Sequence, residues 1–426
     1  MNGRSGLPTA NPPVATGRPL QQPPPLSLYI HIPWCVRKCP YCDFNSHEAH
    51  GAIPEREYAA ALLRDLEFLL PLVWGRKVVS VFFGGGTPSL LSPRALDDIL
   101  CGARALLPIE PGAEITLEAN PGTVEAGKFA EFQATGINRL SLGIQSFDAA
   151  HLQALGRIHD GREARAAVEL ALRHFDNVNL DLMYGLPGQS LDEALRDIRA
   201  AVGHGVAHIS AYHLTIEPNT LFYARPPQLP DDDSCAAMQE AIEAELAQAD
   251  YLHYETSAFA QKNRRCLHNL NYWHFGDYLG IGAGAHGKIT LHPQGVDRGC
   301  KADESATSTR HDRILRQARL RAPRDYLAAL ASGKPMADEH EVAPADRSFE
   351  FMMNALRLTG GFDPALFVER TGLALAAIES PLREAERRGL LERGESVIRP
   401  TALGQRFLNE LLQLFLPEEA REKPQA

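Results

Sequence analysis

The stretch Leu26-Ser27-Leu28-Tyr29-Ile30-His31-Ile32-Pro33-Trp34-Cys35-Val36-Arg37-Lys38-Cys39-Pro40-Tyr41-Cys42 carries the reading of this chain. Its first half is a short apolar run that stops at a proline, which predicts a strand over Leu26–Pro33. Its second half places three cysteines directly after that strand, in the spacing C-x3-C-x2-C. Thiolates are soft ligands that suit iron–sulfur clusters. Three of them on one loop can each hold one iron of a cubane and leave the fourth iron open, and an open position is what a reactive metal site needs. A zinc knuckle is the competing reading, and it would need a fourth ligand from His47 or His50.

Outward from this segment, strand and helix patterns alternate. Further strands are expected at Val78–Gly84, Glu114–Glu118, Arg139–Gln145, Asn177–Met183, His208–Thr215 and near Tyr254–Phe259. Between them, Arg56–Leu72, Pro93–Leu106, Val124–Thr135, Gly161–His174, Leu191–Val202 and Asp233–Gln248 repeat apolar residues at helical spacing. Such alternation implies an α/β fold with a parallel sheet, either doubly wound or a (β/α) barrel. The polar and glycine-rich signals sit at the ends of these strands: Gly84-Gly85-Gly86-Thr87-Pro88, Glu118-Ala119-Asn120-Pro121, Gln145-Ser146-Phe147, and Asp181 ahead of Tyr184-Gly185-Leu186-Pro187-Gly188. The carboxyl ends of parallel strands form the active face of such folds, so these distant residues are expected to converge. Glycines without side chains would let the backbone approach a ligand closely.

The bulk numbers narrow the class. The chain has 426 residues, 44% of them hydrophobic, enough for more than one domain. A net charge of -10 and the absence of a long Lys/Arg run speak against a nucleic-acid partner. Seven cysteines, three clustered and four scattered, read as a cytoplasmic protein with one metal site rather than a disulfide framework. No apolar run is long enough for a membrane span. Residues 1–25 are expected to be a disordered Pro-rich leader, 26–290 a core domain, 291–344 an insertion and linker, 345–415 a small C-terminal module and 416–426 a tail. The module has helices at Arg347–Leu358, Pro364–Thr371 and Ala374–Arg388, and an order that suggests a winged helix.

The cysteine loop after the first strand, with the glycine motif after the second, resembles the radical S-adenosylmethionine (SAM) proteins. That resemblance implies a partial (β/α) barrel, a [4Fe–4S] cluster on Cys35, Cys39 and Cys42, and SAM bound at the open iron through its amino and carboxylate groups. His31-Ile32-Pro33-Trp34-Cys35, Phe83-Gly84-Gly85-Gly86-Thr87-Pro88, Gly143-Ile144-Gln145-Ser146-Phe147 and Asp181-Leu182-Met183-Tyr184-Gly185-Leu186-Pro187 look like the oxygen-independent coproporphyrinogen III oxidase group, as does the C-terminal module. By motif position the resemblance puts SAM contacts on Tyr29, Tyr41, Gly85, Gly86, Thr87, Glu118, Gln145, Arg157 and Asp181.

Two departures separate this chain from the oxidases: the Pro-rich leader is unlike the ordered N-terminal segment that helps build the oxidase site, and Phe44 stands two positions after the third cysteine, where the oxidases carry a fourth. In addition, His268-Asn269-Leu270-Asn271-Tyr272-Trp273 matches the H-N-x-x-Y-W motif of the HemW haem chaperones, relatives of the oxidases. The resemblance therefore implies haem binding through His268, Asn269, Tyr272 and Trp273. Cys266, two residues upstream, is a candidate accessory contact that nothing in the spacing requires. It implies delivery of haem to acceptor haemoproteins, membrane-associated ones among them, and a homodimer. Radical decarboxylation of coproporphyrinogen is the alternative activity, against which Phe44 stands.

Overall fold

The computed structural model describes residues 23–291, 312–333 and 335–417. The expected leader, the 291–312 insertion and the tail lie almost wholly outside the described residues. Leu26–Ile32 forms β1, buried along nearly its whole length, as a strand covered on both faces must be. Helix α1 (Glu55–Val73) returns the chain to β2 (Val78–Gly85), and α2 (Pro93–Leu106) leads to β3 (Ile109–Ala119). The helix expected over Val124–Thr135 is two short turns, Thr123–Ala126 and Phe129–Ala134, before β4 (Arg139–Gln145). Asp160 then caps α3 (Gly161–His174) in a reciprocal box with Glu163. β5 (Val178–Tyr184) follows, and Ser190 with Glu193 caps α4 (Leu191–Gly203) in the same way before β6 (His208–His213).

Strands β1 to β6 lie side by side in chain order and all run parallel. A doubly wound sheet would reverse direction at a switch point. This one does not, so the choice left open by strand–helix alternation resolves to a partial (β/α) barrel. Leu28, Ile30, Phe83, Leu117, Leu142 and Leu180 are sealed in its core, each worth about 1.5–3 kcal/mol by burial.

Both edges extend beyond what the patterning shows. After α5 (Asp232–Gln248), β7 (Leu252–Glu255) and β8 (Ala258–Ala260) form a hairpin that pairs antiparallel with β6. Helix α6 (Leu267–Trp273) then leads to β9 (Asp277–Ile281), which pairs parallel with β1. Next come β10 (His286–Leu291), β11 (Arg313–Arg319), α7 (Pro323–Ala331) and β12 (Met336–Glu341). They complete a sheet of twelve strands in the order β12-β11-β10-β9-β1-β2-β3-β4-β5-β6-β8-β7. The expectation that 291–344 is insertion and linker is thus corrected: residues 313–341 are two strands and a helix of the barrel domain. Gly282 and Gly284, both at positive φ, make the tight turn between β9 and β10.

The C-terminal module begins with α8 (Pro344–Ala355), continues with α9 (Pro364–Thr371), α10 (Glu379–Arg387) and a hairpin of Leu391–Arg393 and Ile398–Pro400, and closes with two short helices, Ala402–Arg406 and Leu408–Gln413. Phe351, Phe362, Phe367 and Leu382 make its core, which also takes in Phe275 and Ile314 from the barrel domain. Among the described residues, no helix is long and apolar enough to cross a membrane.

Candidate functional site at the barrel mouth

The carboxyl ends of the parallel strands surround a cavity of about 650 Å³, within the range of small-molecule sites. Cys35, Cys39 and Cys42 line it, and none of the three is in a disulfide. The loop that carries them is tied down on both sides. The His31 imidazole Nε2 pairs with the Asn45 carbonyl oxygen at 2.9 Å, and Asn45 Nδ2 donates to the carbonyls of Ala283 and Arg321, both at 2.9 Å. Tyr58 Oη donates to the His31 carbonyl at 2.8 Å and accepts from the Ala283 amide at 2.9 Å.

Each sulfur has a polar neighbour. Thr87 Oγ1 donates to Cys35 Sγ at 3.6 Å, Arg157 Nη1 donates to Cys39 Sγ at 3.7 Å, and Ser46 Oγ lies 3.8 Å from Cys42 Sγ. Asn120 links two of these donors: its Nδ2 donates to Thr87 Oγ1 at 3.0 Å, and its Oδ1 accepts from Arg157 Nη2 at 2.6 Å. Burial pushes the Cys35 and Cys42 thiols up, a bias that a coordinated cation reverses. Three thiols on one wall, supported by donors, fit an iron–sulfur cluster, whose sulfurs are tuned by such hydrogen bonds. Among the described residues no three His, Cys, Asp or Glu side chains converge as a site for a single metal ion.

Eight of the nine residues expected at SAM line the same cavity: Tyr41, Gly85, Gly86, Thr87, Glu118, Gln145, Arg157 and Asp181. The Glu118 carboxylate accepts from the Gly85 amide at 3.2 Å, and burial, with Asp181 adding to it, pushes its pKa up to about 8. Asp181 accepts from Ser141 Oγ at 2.8 Å and Asn179 Nδ2 at 2.9 Å, while burial raises it as well. Two buried carboxyls whose charged forms are disfavoured suit a ligand that brings an ammonium and hydroxyl donors. Gln145 is held at φ 65, the left-handed region that non-glycine residues seldom enter, at the point where the strand must hand its side chain to the cavity.

Tyr29 is the exception. It does not line the cavity; its hydroxyl lies 3.0 Å from His31 Nδ1, so it helps fix the base of the cysteine loop. The glycine run also has a reason of its own. A Cβ on Gly86 would lie 2.5 Å from the Trp34 carbonyl oxygen, and Gly85 sits at φ +122 against His31. The glycines let β2 close against the cysteine loop before any ligand is considered.

The H-N-x-x-Y-W segment is arranged differently. His268 is 2% exposed, with Nδ1 3.0 Å from Ser80 Oγ and Nε2 3.1 Å from Tyr272 Oη. Its ring stacks on Phe82, and burial, helped by Arg139, pushes its pKa down to about 3. An imidazole with both nitrogens committed has no lone pair for iron in this conformation. Cys266 is buried and donates to Glu114 Oε1 at 3.4 Å, so it is no accessory contact here either. Asn269, Tyr272 and Trp273 do not line the cavity, although the Arg357 guanidinium that rests on Trp273 does.

Sequence reasoning missed several cavity residues. Asn120 was within a quoted motif and carries the polar signal of a strand end. Val36 and Ile158, apolar residues in loops, and Arg357, on the C-terminal module, gave no local sign of the cavity they reach.

Comparison with known proteins agrees with this geometry. The Radical SAM superfamily profile matches residues 29–201, and that of the HemN C-terminal domain matches residues 342–407. The chain is 49% identical to the haem chaperone HemW of Escherichia coli, over 93% of this chain and 99% of that one. It is 46% identical to the haem chaperone HemW of Haemophilus influenzae, again over 93% and 99%. Among solved structures, coproporphyrinogen III oxidase (HemN) of Escherichia coli superposes with a TM-score of 0.75 at 21% identity, covering 92% of this chain and 90% of that one. That likeness shows the fold. The sequence identities, nearly end to end, show the family: this chain belongs to the HemW haem chaperones, within the radical SAM superfamily.

Proposed function

We propose that this chain is a haem chaperone, binding haem at the barrel mouth beside a SAM-ligated [4Fe–4S] cluster and passing it to acceptor haemoproteins. The observation that carries the haem site is the rim of the cavity. Val36, Phe44 and Ile158 line it while remaining 53%, 64% and 57% exposed. Large apolar side chains that stay in water around a polar cavity mark a binding surface for a flat apolar ligand.

In this reading Cys35, Cys39 and Cys42 hold the cluster, and Thr87 and Arg157 keep their sulfurs oriented. Glu118 takes the ammonium of SAM, and Asp181 takes hydroxyls. The cluster, when bound, supplies single electrons to SAM. Phe44 presents a hydrocarbon ring to the mouth at the position where the oxidases carry a further cysteine, which favours carriage of a tetrapyrrole over its decarboxylation. His268 reaches haem only if α6 gives up its contacts with Ser80 or Tyr272. The reading extends to a cytoplasmic location, a homodimer and acceptors that include membrane-associated haemoproteins.

The rim can be tested directly in the reconstituted full chain. Haem titrated into the Phe44→Asp, Ile158→Asp double variant should bind at least tenfold more weakly than to the parent, with the cluster absorbance unchanged. Equal affinity would remove the rim from the site.

A further inference from the structure

Beyond α8 the chain is fixed to the free edge of the sheet. Leu358 makes an antiparallel bridge with Glu255 of β7, the Thr359 amide donates to the Tyr254 carbonyl at 3.2 Å, and Thr359 Oγ1 donates to the His253 carbonyl at 2.7 Å. Thr256 Oγ1 donates to the carbonyl of Arg357 itself at 3.5 Å. This anchors Arg357, whose guanidinium lies 5.0 Å from the centre of the Trp273 ring and lines the cavity.

Three arginines line that cavity, and they are not equivalent. Arg157 is spent on Cys39, Asn120 and Gly143. Arg37 stands exposed on the cysteine loop. Arg357 is half-buried, yet among the described residues its guanidinium makes no hydrogen bond and no ion pair. A partly buried cation without an anion is costly, and a guanidinium oriented on an aromatic face keeps its fork of donors free for a carboxylate. Glu255, which feels its charge, is a poor counter-ion, because burial pushes that carboxyl up to about 7.

We infer that Arg357, oriented by Trp273, binds a propionate carboxylate of haem in the cavity. The inference rests on the haem-chaperone reading and gives the H-N-x-x-Y-W segment a part in it: Trp273 acts as a positioning residue, through a cation supplied by the C-terminal module. SAM offers a carboxylate too, on its methionyl end. Five strands separate β2, which carries Gly85 at its end, from β7, the strand that anchors Arg357, and this favours the propionate.

The test uses the full chain with its cluster reconstituted and compares haem with haem dimethyl ester, which lacks the carboxylates. Soret titrations should show the parent preferring haem about tenfold or more. Arg357→Gln should lower haem to the level of the ester and leave ester affinity unchanged, and Arg357→Lys should recover part of the difference. SAM affinity of Arg357→Gln, from equilibrium dialysis, should equal the parent's. Undiminished discrimination in Arg357→Gln would overturn the inference, as would a loss of SAM binding with haem binding kept, which would assign the carboxylate to SAM. A parent that binds neither tetrapyrrole would overturn the chaperone reading itself.

Discussion

The barrel mouth and helix α6 hold the same kinds of residue and are built in opposite ways. At the mouth, thiols, carboxyls and apolar rings face a cavity with part of their bonding capacity unspent. In α6, His268 has both ring nitrogens paired and Asn271 Nδ2 donates to Ser27 Oγ and to the Asp277 carbonyl, each at 2.9 Å. The difference teaches that a motif rich in His, Asn, Tyr and Trp is evidence of specific bonding and does not by itself say with what. In α6 the partners are β1, β2 and β9. At the mouth they are still to come.

The contrast can be broken most sharply at the cysteines. Cys35→Ala, Cys39→Ala or Cys42→Ala should abolish the cluster's charge-transfer absorbance after anaerobic reconstitution, with folding retained by circular dichroism. Unchanged iron content in all three would contradict the cluster assignment.

His268→Ala should behave as a core mutation. It leaves a cavity against Phe82 and orphans Ser80 and Tyr272, a loss of about 2–4 kcal/mol measured by denaturant unfolding. His268→Gln retains hydrogen-bonding capacity, and its haem complex should keep the parent's Soret maximum. A shifted band would show that α6 opens to ligate the iron.

A smaller effect is expected at Glu118. Its folded pKa of about 8 lies above its ordinary value, so the folded state holds a proton that the unfolded chain releases. Stability from this group is present at low pH and is lost as pH rises through 8. Glu118→Gln should therefore gain on the parent between about pH 4.5 and 8, by less than about 1.4 kcal/mol per pH unit, and level off above that. A gap that stays flat across that range would mean that the carboxyl is already ionised in the fold.

The smallest effect belongs to Phe44. Its ring stands in water, so Phe44→Ala should change stability by no more than about 0.5 kcal/mol while weakening haem. A large destabilisation would turn the rim into core.

The parallel heart of the fold was legible because strands buried on both faces read as unbroken apolar runs, as Leu28, Ile30 and Ile32 do in β1. The edge strands were not. β12 reads Met-Ala-Asp-Glu-His-Glu and is mostly exposed, and β11 carries three arginines that spend their charge on Glu341, Glu350 and Asp65. Hydrophobic pattern carries no signal where a strand is held by its backbone and by ion pairs. Within the site, residues at strand ends could be placed because the topology gathers them. Tyr29 could not, because whether a side chain points to a ligand or to the neighbouring His31 depends on packing. Arg357 lay beyond reach for a further reason: its approach to the cavity comes from a bridge between segments about a hundred residues apart.

One measurement bears most directly on the central claim that the open mouth carries a tetrapyrrole without transforming it. Haem is titrated into the anaerobically reconstituted full chain, and coproporphyrinogen III is supplied with SAM and reductant to the same preparation. The account predicts a saturable Soret shift and no protoporphyrinogen. Turnover of coproporphyrinogen, or a Soret band that never departs from that of free haem, would contradict it.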